Sequence, residues 1–204
     1  MQFPRFSFAA LSAGIAIALS GPVSATPVDF SVSASSFTPG SGYGTGAGQL
    51  DVGFAVAGGL NNFSLAAPGA AQTFTFGTVT MNEPLLIGPG ETDNLDVSAT
   101  FEFFDPLAGL RTVTASGTAT VGFLIDLAVD LTIDWDPLVV AFGNGGSFSI
   151  NMNTLDFRLG GQSVEQDATI RLLTASNDVP EPATLALAGL ALAGIGWSRR
   201  QSRN

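Results

Sequence analysis

Hydrophobic and polar residues alternate along most of the chain between residues 29 and 173. A period of two is typical of β-strands that have one buried and one wet face. Shorter alternating pieces lie at residues 29–34, 73–81, 147–152 and 167–173. Three longer stretches show the pattern best, with apolar positions at Leu50, Val52, Phe54 and Val56; at Val97, Ala99, Phe101 and Phe103; and at Val113, Ala115, Ala119, Val121 and Phe123.

The apolar positions change parity twice. They pass from even to odd numbers across Gly77, and again between Met152 and Leu155. Each change predicts a β-bulge or a strand break. The stretch "FGNGGSF" predicts a hairpin turn, and "FTPGSGYGTGAGQ" predicts a long flexible loop.

About eight strands with frequent turn signals predict a mainly β fold, an antiparallel β-sandwich or jelly roll. No helix is predicted before Pro182. The abundance of Gly, Ser, Thr and Ala and the low charged fraction favour the same fold class.

The stretch "FLIDLAVDLTIDWDP" predicts one strand with an acidic face, made of Asp126, Asp130, Asp134 and Asp136. Asp134 and Asp136 would lie about 6.6 Å apart along a strand, close to the separation of paired glycosidase carboxylates. Any polar strand face produces that spacing, and Trp135 falls on the apolar side. We therefore expect a solvated acidic face and assign no catalytic residue.

The sequence contains no cysteine, histidine or lysine. This excludes disulfides, thiol nucleophiles, Ser-His-Asp triads and zinc sites built on Cys or His. Residues 26–178 carry three arginines and sixteen acidic residues, a formal charge of −13. Such a charge argues against binding to nucleic acid and favours solubility and association with cations.

Calcium is the candidate cofactor, because it binds carboxylate, amide and carbonyl oxygens. The turn "GPGETDNLD" offers Glu91, Asp93, Asn94 and Asp96 as candidate ligands. The turn lacks a complete ligand-loop motif, so no metal ligand set is assigned.

The N-terminus has the pattern of a secretory signal peptide over residues 1–25. Arg5 is followed by an apolar region at 6–19, and Val23-Ser24-Ala25 fits a cleavage site for signal peptidase after Ala25. The mature chain is thus expected to start at about Thr26, outside the cytoplasm.

The C-terminus has an apolar run at residues 183–197, followed by a basic tail at 198–204 with Arg199, Arg200 and Arg203. As a helix the run would measure about 22 Å, against about 30 Å for a hydrocarbon core. The arginines predict that the tail lies in the cytoplasm and that one short transmembrane helix holds the domain outside. The triplet Pro180, Glu181 and Pro182 predicts a stiff, extended peptide just before the run.

This triplet, apolar run and Arg cluster together resemble a PEP-CTERM sorting signal. The resemblance implies a Gram-negative bacterium with an exopolysaccharide and biofilm programme. It also implies an exosortase that cleaves near Pro180, Glu181 and Pro182 and passes the chain from the inner membrane to a surface destination. The expected organisation is a signal peptide (1–25), an extracellular β-sandwich domain (26–178) and the sorting signal (179–204). "FTFGTVTMNEP", "LDVSATFEFFDP" and "FSINMNTLDF" also resemble choice-of-anchor extracellular domains.

These observations favour an exported, exosortase-sorted, non-catalytic protein of the surface or extracellular matrix, associated with exopolysaccharide and biofilm. One alternative is a β-sandwich module that binds extracellular polysaccharide or adheres with the help of Ca²⁺. The other is a secreted hydrolase that uses carboxylates. The sequence does not choose among possible ligands or oligomeric states.

Overall fold

The computed structural model describes residues 26–124 and 128–176, and the regular structure of this part is β-strand without helix. The strands are β1 (Val28–Pro39), β2 (Val52–Val56), β3 (Leu60–Leu65), β4 (Ala71–Met81), β5 (Leu86–Ile87), β6 (Val97–Asp105), β7 (Gly109–Ala119), β8 (Gly122–Phe123), β9 (Leu131–Trp135), β10 (Leu138–Phe142), β11 (Gly146–Met152), β12 (Leu155–Phe157) and β13 (Ser163–Thr174).

These strands form two large antiparallel sheets. One sheet has the order β12-β9-β7-β6-β1-β3, the other has the order β10-β11-β13-β4-β2, and β5 pairs with β8 in a small ribbon. The predicted mainly β fold is confirmed, and the two sheets are consistent with the predicted β-sandwich. The predicted number of strands was too low, because short strands such as β3 and β12 offer little alternation to detect.

Phenylalanine rings fill the space between the two sheets. Phe101 on β6 contacts Phe76 on β4 with ring centroids 4.6 Å apart. Phe148 on β11 lies 5.2 Å from both Phe30 on β1 and Phe103 on β6. Large aromatic side chains bury much apolar area, so these ring contacts hold one sheet against the other.

The predicted alternation on β6 is confirmed, since Val97, Ala99, Phe101 and Phe103 are buried. On the next stretch the prediction was wrong for two residues. Val121 is 50% exposed and Phe123 is 62% exposed. β7 ends at Ala119, and the chain then leaves the six-stranded sheet to pair with β5, so these two side chains no longer face the core.

The parity change at Gly77 is a β-bulge, as predicted. Gln166 pairs with Gly77 whereas the next residue, Asp167, pairs with Thr75, which leaves Phe76 as the extra residue of β4. A Cβ atom on Gly77 would lie 2.3 Å from the carbonyl oxygen of Ala55 on β2. Glycine therefore permits the close approach of β2 at the bulge.

The second parity change is a strand break, also as predicted. β11 ends at Met152 in the five-stranded sheet, and β12 begins at Leu155 in the six-stranded sheet. The chain thus changes sheets between these residues. The predicted hairpin turn is confirmed as well, because Phe142 pairs with Gly146 at the end of the β10–β11 ladder.

The acidic stretch is not the single strand that its alternation predicts. Leu131, Ile133 and Trp135 are buried on β9, but Asp130 precedes this strand and is only 5% exposed. Its predicted place on a wet face was therefore wrong. Asp126 lies outside the described residues.

The loop predicted to be flexible is held in place by hydrogen bonds. The Tyr43 hydroxyl donates to the carbonyl oxygen of Leu95 at 2.9 Å, and the Gly42 N–H donates to that of Asn94 at 3.0 Å. Tyr43 is 6% exposed. The loop at residues 40–50 is thus part of the fold, because its only aromatic ring joins the core.

Candidate functional site

The outer face of the six-stranded sheet is lined with hydroxyl groups. Thr38 on β1 pairs with Ser98 on β6, which pairs with Thr114 on β7. The backbone N–H of Asp136 donates to the carbonyl oxygen of Thr114 at 2.9 Å, which places Asp136 next in this row. Period-two alternation makes the row, since each apolar neighbour points into the core.

This row forms the floor of a shallow depression of about 400 Å³, which we call the polar depression. Two carboxylates line it, those of Asp96 just before β6 and Asp136 just after β9, and β7 lies between these two strands. The described residues that line it include no aromatic side chain. They are Thr38, Pro39, Gly40, Asp96, Val97, Ser98, Thr114, Ala115, Ser116 and Asp136.

The ordered loop fixes one wall of the polar depression. The Gly40 N–H donates to the carbonyl oxygen of Asp96 at 2.7 Å, and the Tyr43 hydroxyl is bound to the neighbouring residue, Leu95. Burial raises the pKa of the Tyr43 hydroxyl well above its usual value, and the charge of Asp96 raises it further. Tyr43 therefore stays neutral and acts as a structural donor.

Of the two carboxylates with glycosidase-like spacing in the sequence, only that of Asp136 lines this depression. Asp136 lines it, and its carboxylate accepts a long hydrogen bond of 3.5 Å from the Thr114 hydroxyl. The Asp134 carboxylate accepts from the Thr154 hydroxyl at 2.8 Å instead. Hydroxyls and carboxylates arranged in this way can hydrogen-bond to a polyhydroxylated ligand or attract a cationic one.

The four candidate calcium ligands have separate roles. The Glu91 carboxylate accepts a 2.6 Å hydrogen bond from the Gly88 N–H, and Asn94 has a left-handed backbone with φ of 57°. Asp96 lines the polar depression, and Asp93 is exposed. Within the described part of the chain, no group of three or more His, Cys, Asp or Glu residues could hold a metal ion. The four candidates therefore form no such group in the described residues, and calcium binding stays a prediction.

Both ends of the described domain lie at the same end of the two sheets, which we call the sorting end. It comprises residues 26–28, the turns 66–70, 105–109 and 143–145, and residues 174–176. Val28 at the start of β1 pairs with Leu65, which leads into the first of these turns. The Asn144 N–H donates to the Ser176 hydroxyl at 3.0 Å, which fixes the end of the described chain beside the β10–β11 turn.

The structure and the sequence together define the class of protein. It has an acidic, mainly β domain, and a C-terminal segment with the pattern of a sorting signal follows this domain along the chain. A family model for the PEP-CTERM protein-sorting motif matches residues 178–200. The chain thus contains a PEP-CTERM protein-sorting motif near its C-terminus. The motif implies export, anchoring of the C-terminus in the membrane before processing, and processing by an exosortase.

The matched segment contains Pro180, Glu181, Pro182, Arg199 and Arg200. These residues, Arg203, the predicted apolar helix at 183–197 and the predicted signal peptide with its cleavage site at Ala25 all lie outside the described residues. Within 26–124 and 128–176, no helix is long and apolar enough to cross a membrane.

No curated protein and no solved structure matches this chain. The likeness to choice-of-anchor domains stays a prediction. Sequence reasoning missed the polar depression, because its floor consists of residues from four chain segments that only strand pairing brings together. Alternating Ser and Thr in "RTVTASGTATVGF" was the one available signal.

Proposed function

We propose that an exosortase sorts this protein to the cell surface or extracellular matrix, where residues 26–178 act as a non-catalytic component associated with exopolysaccharide and biofilm. The observation that carries this proposal is the PEP-CTERM motif at residues 178–200, which follows directly on an acidic, mainly β domain. The lack of cysteine and histidine in the sequence supports a non-catalytic role, because it removes the commonest nucleophile–base pairs.

Fractionation of a biofilm tests this role. We expect the wild-type protein to be recovered with the isolated matrix, and to appear in the culture medium when the cells cannot make their exopolysaccharide. A variant with Pro180, Glu181 and Pro182 all replaced by alanine should stay with the inner membrane. Equal recovery of the wild type and the variant from the matrix would contradict the proposed sorting. If the wild-type protein stays in the matrix of cells that make no exopolysaccharide, its proposed association with this polysaccharide is wrong.

The polar depression supports a second candidate, a glycan-binding role. Its hydroxyl row can exchange hydrogen bonds with sugar hydroxyls, and Asp96 and Asp136 favour a neutral or cationic glycan over an anionic one. Carbohydrate sites often add an aromatic platform, so we expect weak binding that depends on many repeated units.

Co-sedimentation with polysaccharide tests the glycan site. Asp96→Asn combined with Asp136→Asn should reduce binding to an amino-sugar polymer at least about threefold, because two charge-assisted contacts are lost. Asp156→Asn combined with Asp167→Asn is the matched control, since it makes the same change in charge outside the polar depression. Equal loss in both variants would indicate an unspecific effect of net charge.

A further inference from the structure

The described domain has an asymmetric distribution of charge along its long axis. β13 runs from the distal end at Ser163 to the sorting end at Thr174, a length of about 36 Å at 3.3 Å per residue. At the distal end, the loops at residues 40–51, 82–96 and 128–130 contain six acidic residues and no basic one. The acidic residues are Asp51, Glu83, Glu91, Asp93, Asp96 and Asp130.

The sorting end, in contrast, has a small net charge. The strand residues next to its turns include three acids, Asp29, Glu102 and Asp105, and two bases, Arg111 and Arg171, which are two of the three arginines among the described residues. The Arg171 guanidinium donates to the carbonyl oxygen of Gly69 in the 66–70 turn at 3.0 Å. The Arg111 guanidinium donates to the carbonyl oxygen of Leu110 at 2.6 Å, beside the 105–109 turn.

The turns that form the tip of the sorting end consist mainly of small, uncharged residues. Residues 66–70 read Ala-Ala-Pro-Gly-Ala, and residues 143–145 read Gly-Asn-Gly. Exposed apolar side chains do not distinguish the two ends, because Phe104 and Leu110 lie near the sorting end while Leu85 and Phe123 lie near the distal end. Charge is therefore the property that differs.

The chain length fixes which end lies near the membrane. Only residues 177–182 separate Ser176 from the start of the apolar run at Ala183. Seven Cα–Cα steps span at most about 25 Å when fully extended. While the C-terminus is anchored, Ser176 at the sorting end therefore stays within about 25 Å of the point where the chain enters the bilayer.

We propose that the sorting end faces the bilayer during processing, and that its small net charge lets an otherwise acidic domain approach anionic phospholipid headgroups. A charge near such a surface changes the free energy of approach strongly, and the effect decays over about 8 Å at physiological salt. A strongly acidic sorting end would hold the domain away and draw the triplet out of reach of the exosortase. This inference rests on the proposed sorting and adds a lipid-facing surface to it.

Charge substitution in the full-length chain tests this surface. Ala67 and Asn144 are exposed at the sorting end, and Ala47 and Thr120 are exposed at the distal end. Ala67→Glu with Asn144→Glu should slow C-terminal processing in cells at least about threefold. The variant with Ala67→Lys and Asn144→Lys should be processed at the wild-type rate or faster. The distal control, with Ala47→Glu and Thr120→Glu, should be processed at the wild-type rate. Pulse-labelling measures the rates, and circular dichroism of the purified variants checks that they fold.

Three results would overturn the proposal: processing of the Glu pair at the wild-type rate, equal slowing by the distal pair, or equal slowing by the Lys pair. The last result would indicate direct contact with the exosortase rather than with lipid. The variant with alanine at Pro180, Glu181 and Pro182 separates this proposal from the proposed function. If that variant is still processed, the sorting itself is wrong, whatever the charge variants do.

Discussion

At the residue scale, Gly117 on β7 shows how closely the ordered loop packs against the sheet. Its N–H donates to the carbonyl oxygen of Leu95 at 2.9 Å. A Cβ atom at this position would lie 2.5 Å from both that oxygen and the Tyr43 hydroxyl. Such distances are too short for a stable contact, so a side chain here must displace the loop.

We expect Gly117→Val to lower the free energy of unfolding by roughly 2–3 kcal/mol, through overpacking and loss of the Tyr43 hydrogen bond. Urea unfolding measures this change. Gly58→Val is the matched control, because a Cβ atom on Gly58 meets no other atom within 4 Å. A control that loses as much stability as Gly117→Val would show that the packing argument is wrong.

Tyr43 gives a second prediction at this scale, for alkaline pH. The folded state raises its pKa above the usual value of about 10, so the unfolded chain releases this proton first as the pH rises. The stabilisation is complete below pH of about 10 and is lost above it. Tyr43 is the only tyrosine of the chain, so the ultraviolet absorbance of tyrosinate reports its titration directly.

We expect the absorbance change to coincide with alkaline unfolding, and we expect Tyr43→Phe to remove this contribution to the pH dependence. The variant should also lose roughly 1 kcal/mol at neutral pH, because the carbonyl oxygen of Leu95 loses one of its two donors and keeps only the Gly117 N–H. Titration of Tyr43 near pH 10 in the folded protein would contradict its burial.

At the element scale, Gln166 on β13 joins the two sheets where the chain passes from β11 to β12. It is fully buried, and its Oε1 accepts a 2.8 Å hydrogen bond from the Trp135 indole N–H on β9. Its Nε2 donates to the backbone oxygen of Asn153 at 2.9 Å and to the side-chain Oδ1 of that residue at 2.8 Å. A buried network of this kind stabilises only while its members have partners.

Gln166→Leu should therefore lower the free energy of unfolding by about 2–4 kcal/mol, because the Trp135 N–H and the Asn153 carbonyl oxygen lose a buried partner. Gln72→Leu, at an exposed position on β4, should cost about 1 kcal/mol or less. Thermal unfolding compares the two variants. Similar melting temperatures would mean that the network does not stabilise the passage between sheets.

The long strands could be predicted from the sequence, because a buried face leaves a period of two. The bulge at Gly77 and the break after Met152 could also be predicted, since each reverses the parity of the apolar positions. Asp130 could not be placed correctly, because alternation on both sides of it suggested one continuous strand. Likewise, the polar depression depends on register between strands, which a single sequence does not encode locally.

At the scale of the whole molecule, the sorting end connects the fold to its export. The motif match begins at Asp178, two residues after Ser176, so the folded domain lies directly beside the proposed cleavage region. The position of the signal could be predicted from its triplet, apolar run and arginines. The charge asymmetry of the domain could not be predicted, because it depends on which loops share an end of the sheets.

The central claim is that the C-terminal segment is a temporary anchor that an exosortase removes. Mass spectrometry of the mature protein, purified from cells with and without the exosortase, tests this claim most directly. We predict a C-terminus near Pro180, Glu181 and Pro182 when the enzyme is present, and an uncleaved C-terminal segment when it is absent. A mature surface protein that still contains Arg203 would contradict the account.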